Sequence, residues 1–310
     1  MVLNEALSSF LLDRTIKGLS KKTIEDYREF IKPFVKFIGE SVLVEDISQL
    51  VIRQYIGSLY DRKLSKATIG TYTRHIRVFL SWLAEENAVQ YDIAKIPLPK
   101  TNKKQVHIFN NEEIRLIFDS VSAESEWMTL RNKACIALML DSGLRRGEIC
   151  GVKRADYSKA EHTLTVCGKG EKYRTVPVGR LSDEFIAQYL EACPFSDTAF
   201  LFVDRRGKPL TGNALKLLMQ KLSGKLPFEF SCHKLRHNFA TNYCIDMYEK
   251  HGQMDPYSLQ ILMGHSDMKT TMRYIHHAMS IVASRAHLSH LDLIFSEGSK
   301  SGESTNRISG

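Results

Sequence analysis

Four short stretches of this 310-residue chain carry side chains suited to handling a phosphate. The first is Asp141-Ser142-Gly143-Leu144-Arg145-Arg146-Gly147-Glu148-Ile149. A glycine precedes arginines that open a helix, where a guanidinium and backbone N–H groups can together hold an anion. Read alone, the same residues are a surface Arg145 salt-bridged to Glu148. The second stretch is Gly168-Lys169-Gly170, followed by Lys172 and Arg174. A lysine at a glycine-flanked turn reaches into a cleft, or simply forms a basic hairpin tip in solvent. The third is His233-Lys234-Leu235-Arg236-His237. On a helix, positions i and i+3 share a face, so His233 and Arg236 offer two donors to non-bridging phosphate oxygens. A capping histidine beside an exposed arginine is the plainer alternative. The fourth runs Leu262-Met263-Gly264-His265-Ser266-Asp267, with Thr270-Thr271 and then Tyr274. A Gly-His turn sets a histidine between helices, and a tyrosine follows nine residues later. By itself that tyrosine reads equally well as a half-buried core aromatic.

These residues must be positioned by a mainly α chain with a small β-sheet. The N-terminal third reads as helices. Ile24, Tyr27, Ile31, Phe34, Phe37 and Ile38 fall at spacings of three and four behind a plausible N-cap, Ser20. The pattern returns 45 residues later. Leu64, Ser65, Lys66, Thr68, Ile69, Tyr72, Ile76, Phe79 and Trp82 repeat Leu19, Ser20, Lys21, Thr23, Ile24, Tyr27, Ile31, Phe34 and Phe37. Two such helices, each beside a shorter one (residues 4–14 and 48–60), predict a small helical bundle over residues 1–92. Their polar faces carry Lys21, Lys22, Arg28, Lys32, Lys66, Arg74 and Arg77. Each reads singly as solvated surface, and as a set they line a phosphate track.

Pro97, Pro99 and the run Lys100-Thr101-Asn102-Lys103-Lys104 predict an extended basic linker over residues 93–106. A mixed α+β domain follows over 107–296, with a Ser- and Gly-rich tail at 297–310 expected to be disordered. Within the domain, helices are expected over 111–121, 130–140, 181–190, 213–222, 233–248 and 257–263. Residues 162–167 and 173–178 read as a hairpin with a Gly-rich turn.

The chain carries a net charge of +8. Residues 1–105 hold 17 Lys and Arg against 12 Asp and Glu, and the remainder 26 against 23. Both parts therefore suit one polyanion, although charge alone does not identify it. No apolar run approaches the roughly 18 residues of a membrane span, and no secretory signal opens the chain, so a cytoplasmic protein is expected. Six scattered cysteines with no CxxC pair read as reduced thiols. Cys232, His233, His237 and Cys244 match no usual zinc spacing.

Taken together and in order, the four stretches resemble the tyrosine recombinases, the phage integrase family that includes the Xer recombinases. The likeness rests on Gly-Leu-Arg-x-x-Glu at Gly143–Glu148, and on the Gly-Lys-Gly turn leading to Val-Pro at Gly168–Pro177. It rests equally on His-x-x-Arg-His at 233–237 and on Gly264-His265 with Thr271 and Tyr274, and it spans residues 3–290. It implies an N-terminal helical core-binding bundle and a catalytic domain that clamp double-stranded DNA. By this resemblance Tyr274 is the nucleophile, Arg145 and Arg236 clamp the phosphate, and Lys169 protonates the leaving oxygen. His233 and His265 complete the pentad, and Glu148 orients Arg145. Lys21, Lys22, Lys66, Arg74, Arg77, Lys103 and Lys104 are the candidate DNA contacts. The resemblance further implies a homo-oligomer, with a dimer on each recombination site and a tetrameric synapse. It implies neither metal, nor ATP, nor other cofactor, and an enzyme acting on the nucleoid.

The chemistry is coherent on its own terms. The five-coordinate transition state gathers negative charge on its oxygens, which permanently charged guanidiniums stabilise. Nearby cations favour a phenolate and a histidine takes its proton. A 3′-phosphotyrosine then stores the bond energy for rejoining. Integration or excision of a mobile element is the role expected first, with Xer-type dimer resolution as the alternative. A strand-relaxing topoisomerase, an inactive DNA-binding relative and a metal-dependent nuclease share parts of the pattern. The 29 residues from Arg236 to His265 exceed those of compact Xer-like members, and the excess is expected as a loop around 248–256. A last helix expected over 277–291 presents Met279, Ile281, Val282, Leu288 and Leu291, either to a neighbouring subunit or to its own domain.

Overall fold

The computed structural model describes residues 1–87, 91–100, 106–168, 170–285 and 291. The chain divides between residues 104 and 105 into two compact units. Among the described residues no helix is long and apolar enough to cross a membrane.

In the first unit, α1 (Leu3–Ile16), α2 (Lys21–Ile38), α3 (Gln49–Asp61) and α4 (Lys66–Asn87) enclose one core. The two copies of the repeat are α2 and α4. Thr23 N donates to Ser20 Oγ at 3.2 Å and Thr68 N to Ser65 Oγ at 3.1 Å, so both helices start from the same N-cap. Equivalent residues Ile31 and Ile76, and Phe34 and Phe79, are fully buried. The equivalence fails at Phe37, which is 46% exposed, against 5% for Trp82. The reason is α1, whose Phe10 covers Trp82 at a ring distance of 5.5 Å. The expected linker is partly structured. Ile93–Lys95 forms a 3₁₀ turn capped by Asp92, and Ile96 is fully buried in the first unit's core. Residues 93 and 96 are apolar at a spacing of three, so this core continues past residue 92.

The second unit opens with α5 (Asn111–Ser120), α6 (Glu126–Asp141) and α7 (Arg146–Gly151). An antiparallel sheet follows, β1 (Tyr157–Ser158), β2 (Thr163–Cys167) and β3 (Tyr173–Pro177), in the order β1-β2-β3. The hairpin is where the sequence places it, and β1 is added to its outer edge. Two residues are too few to display a period of two. Then come α8 (Arg180–Ala192), α9 (Gly212–Ser223), α10 (Cys232–His251), α11 (Pro256–Met263) and α12 (Met268–Arg285).

Two expectations are corrected here. The excess length after Arg236 is a loop only over residues 252–255 and not over the whole of 248–256. It also extends α10 to His251, and Gly252 then ends the helix in a left-handed conformation, φ +70°. The last helix does not begin at His277. Residues 268–285 contain no glycine or proline, and one helix, α12, runs through Tyr274. Ile281 and Val282 pack on their own domain against the α10–α12 core, while Met279 and Leu291 are exposed. Leu288 and the tail at 297–310 lie outside the described residues.

Gly143 joins α6 to α7 and sets the approach of Arg145. Its φ is +63°, and a Cβ would meet the Phe239 ring on α10. Only glycine meets both demands. Asn238, fully buried on α10, ties the start of the unit to the same helix. Its Oδ1 accepts from Phe109 N at 2.6 Å and its Nδ2 donates to Lys234 O at 3.0 Å.

Candidate active site

The four stretches converge within the second unit. One cavity of about 620 Å³ is lined by Arg145, His233, Arg236, His237, His265 and Tyr274. Their elements are the N-terminus of α7, the first turns of α10, the α11–α12 turn and the second turn of α12.

Glu148 organises the arginines. Arg145 N donates to Glu148 Oε2 at 2.7 Å and Arg145 Nη1 to Oε1 at 2.9 Å. Arg174, on β3, grips the same carboxylate with both ends of its fork, Nη1 to Oε1 at 2.7 Å and Nη2 to Oε2 at 2.9 Å. Arg236 Nη1 stands 4.0 Å from Oε2. Burial alone would raise the Glu148 carboxyl, but the Arg174 fork and the Arg145 N–H outweigh it and hold the group at about 2.

The same three arginines cap the C-terminal end of α11. Arg174 Nε donates to Leu262 O at 2.8 Å, Arg236 Nη2 to Met263 O at 2.5 Å, and Arg145 Nη2 to Gly264 O at 2.8 Å. Such carbonyls lack partners inside the helix and form the negative end of its dipole. Gly264 has φ +58°, and a Cβ there would lie 3.0 Å from Arg174 Nη1 and 3.3 Å from Arg145 Nη1. The Gly-His turn is thus built around the guanidiniums.

His265 Nδ1 lies 2.9 Å from Thr271 Oγ1, and His265 Nε2 lies 3.3 Å from Arg236 Nη2. Arginine only donates, which assigns Nε2 as the acceptor and Nδ1 as the protonated nitrogen. Tyr274 is 6% exposed. Its ring stacks on His265 at 5.9 Å and sits 4.9 Å from the ring of His237. His237 Nε2 is in turn 2.7 Å from His233 Nε2. Burial raises the Tyr274 hydroxyl above its ordinary range, and the charges of Arg236, Arg273 and Arg145 pull it part of the way back. Burial lowers Arg236 to about 10, with Arg145 adding to the effect, so it stays cationic at neutral pH.

His237 and His265 are both held down to about 4, by burial first, then by His233 for His237 and by Arg236 for His265. Both are neutral at pH 7 and able to accept a proton. The unfolded chain binds protons at these imidazoles from about pH 6.5 downward, while the folded chain does not until about 4. Their contribution to stability is complete above 6.5 and declines as pH falls towards 4. We therefore expect a lower urea midpoint at pH 5.5 than at pH 7, where carboxylates are still ionised. A midpoint unchanged between the two would mean that these histidines titrate normally.

Lys169 lies outside the described residues. Its neighbours Gly168 and Lys172 line a second cavity that shares Arg145 and His265 with the first. In the first unit Lys21, Lys22, Lys66 and Arg74 are exposed and Arg77 is half-buried. Lys21, Lys22 and Lys66 occupy the first turns of α2 and α4, the equivalent ends of the repeat, and Lys22 pairs with Asp26 at 2.9 Å. Lys103 and Lys104 lie outside the described residues. Cys244 is buried in the α10–α12 core, and among the described residues no group of three or more His, Cys, Asp or Glu side chains could hold a metal ion.

Sequence reasoning passed over Arg174 and His237 as site residues. Arg174 shares the inward face of β3 with Val176, and a charge at an inward strand position was the available signal. His237 sits one turn after His233, on the face that meets Tyr274.

Residues 107–280 match the family model described as "Phage integrase family". The chain belongs to that family. Residues 7–90 match its N-terminal SAM-like domain. The "Tyrosine recombinase XerC" of Bacillus pumilus is 32% identical over 275 residues, covering 84% of this chain and 87% of that protein. Two solved structures share the fold. A XerH site-specific recombinase bound to its palindromic difH substrate has a TM-score of 0.65 at 22% identity, covering 85% of this chain and 79% of the other. The Tn1549 transposon integrase in complex with a circular intermediate DNA has a TM-score of 0.71 at 16% identity, covering 97% and 99%. This protein is a tyrosine recombinase, an enzyme that cleaves DNA and rejoins it.

Proposed function

We propose that this recombinase cuts its DNA site through Tyr274, with Arg145, His233, Arg236 and His265 as its partners in one cavity. The observation that carries the reading is that cavity. Residues far apart in sequence line a single space, and each is of the type the reaction needs. The scissile phosphate sits against Arg145 and Arg236. His265 takes the proton of the Tyr274 hydroxyl at Nε2, giving up the hydrogen bond it accepts there from Arg236, as the tyrosine oxygen attacks phosphorus. The bond to the 5′ oxygen breaks, and Lys169 supplies the proton that oxygen needs. A 3′-phosphotyrosine and a free 5′-hydroxyl result, and reversal with a second strand rejoins the DNA. Tyr274 lines the same cavity as the arginines of its own chain, which supports attack within one subunit. Lys21, Lys22, Lys66, Arg74, Arg77, Lys103 and Lys104 hold the flanking phosphates.

The protein acts in the cytoplasm on the nucleoid, as a dimer on each site and a tetramer in the synapse. Met279 and Leu291, exposed on the last part of the chain, fit a contact with a neighbouring subunit. For the biological role, the likeness to proteins named XerC favours Xer-type dimer resolution over mobile-element integration. The likeness to a transposon integrase is one of fold.

The test is a trapped intermediate. The recombination site is selected from a random duplex pool by binding, then nicked beside the cleavage point so that the released end diffuses away. A covalent protein–DNA adduct with the 3′ phosphate on the peptide containing Tyr274 is expected. Attachment at any other residue overturns the assignment.

A further inference from the structure

The site holds one more charge than the clamp needs to make contact. Three guanidiniums surround the single carboxylate of Glu148, leaving two net positive charges beside the cavity. The third, Arg174, has a side chain only 9% exposed, and both of its terminal nitrogens are committed to Glu148. Its Nε holds the Leu262 carbonyl, one residue before the Met263 carbonyl held by Arg236 and two before the Gly264 carbonyl held by Arg145.

We propose that Arg174 is a positioning residue: it occupies Glu148 so that Arg145 and Arg236 keep their charge for the phosphate, and it fixes the turn that carries His265. The proposal rests on the reading of the cavity given above. A phosphodiester carries one negative charge, and attack by a phenolate brings it to two, equal to the net charge that three arginines and one carboxylate leave. Without Arg174, Glu148 neutralises one of the two remaining guanidiniums, and the clamp loses one positive charge, a loss that counts most where the negative charge is greatest. The effect therefore falls on the cleavage step and not on DNA affinity.

The experiment uses the full chain and two nicked duplexes of the selected site, one with an ordinary scissile phosphodiester and one with a methylphosphonate, which is neutral. On the ordinary substrate Arg174→Gln should cleave about 100-fold more slowly at saturating DNA, with binding changed less than about threefold. On the methylphosphonate, whose transition state needs one positive charge fewer, the loss should shrink to below about tenfold. The double variant Arg174→Gln/Glu148→Gln, which restores the net charge, should recover at least about tenfold over Arg174→Gln. Equal losses on both substrates, or no recovery in the double variant, would overturn the charge argument. If Arg174→Gln does not fold, Arg174→Lys serves. Its single ammonium cannot span both Glu148 oxygens and the Leu262 carbonyl, so slower cleavage at unchanged DNA affinity is expected. A wild-type rate in that variant overturns the positioning role. Tyr274→Phe runs alongside. An adduct persisting there removes the reading of the cavity itself, whereas its loss there with normal cleavage in the Arg174 variants removes only this proposal.

Discussion

Tyr274→Phe should bind the recombination site as tightly as the native protein and form no covalent adduct. The substitution removes one oxygen from a ring that is 6% exposed and packed against His265 and His237, so the stacking survives. On the reading proposed above the lost oxygen is the nucleophile, and the cavity's other hydroxyls, on Ser231 and Thr270, are not phenolic. Removal of a nucleophile in an assembled site costs at least about 10⁴-fold, because the remaining groups stabilise a transition state that can no longer form. Gel-resolved adduct formation on the nicked duplex measures the rate, and a mobility shift on the intact duplex measures binding. An adduct from the Phe variant at more than a trace would sink the assignment.

Arg236→Lys should retain the fold in weakened form and lose about 10³-fold in cleavage. Arg236 is 5% exposed, and its two terminal nitrogens are fixed by the Gly143 carbonyl at 2.6 Å and the Met263 carbonyl at 2.5 Å. A lysine keeps the charge but has one nitrogen, which cannot satisfy both carbonyls and also meet a phosphate oxygen. His265 loses the donor at its Nε2 as well, so the proposed proton acceptor is disturbed together with the proposed clamp. Single-turnover cleavage at saturating DNA separates this from a binding defect. A variant within tenfold of native would show that charge alone, without the fork, suffices.

Much of the framework is legible locally. Ser20 and Ser65 each sit three residues before a threonine whose N–H they accept, a contact decided within one turn. Gly143, Gly252 and Gly264 mark left-handed turns that other residues adopt only under strain. The extent of α10 and α12 was open to the same reading, since neither 232–251 nor 268–285 contains a glycine or a proline. Ile96 in the first core is harder to anticipate, because the prolines that follow it argue for an extended segment.

The sequence by itself determined which residue types the chemistry has available, their order, and the helical and hairpin elements that carry them. Periodicity, caps and turn residues act over a few positions, and they are written in neighbouring letters. Only the tertiary structure decided what those residues meet. Apart from the Arg145–Glu148 pair, which lies within one turn, that Glu148 collects Arg174 and Arg236, and that the three arginines hold consecutive carbonyls at Leu262, Met263 and Gly264, depends on chain segments 26 to 119 residues apart. Burial then sets the chemistry of the site, lowering His237 and His265 to about 4 and raising Tyr274, because desolvation depends on what packs around a group and not on its neighbours in sequence.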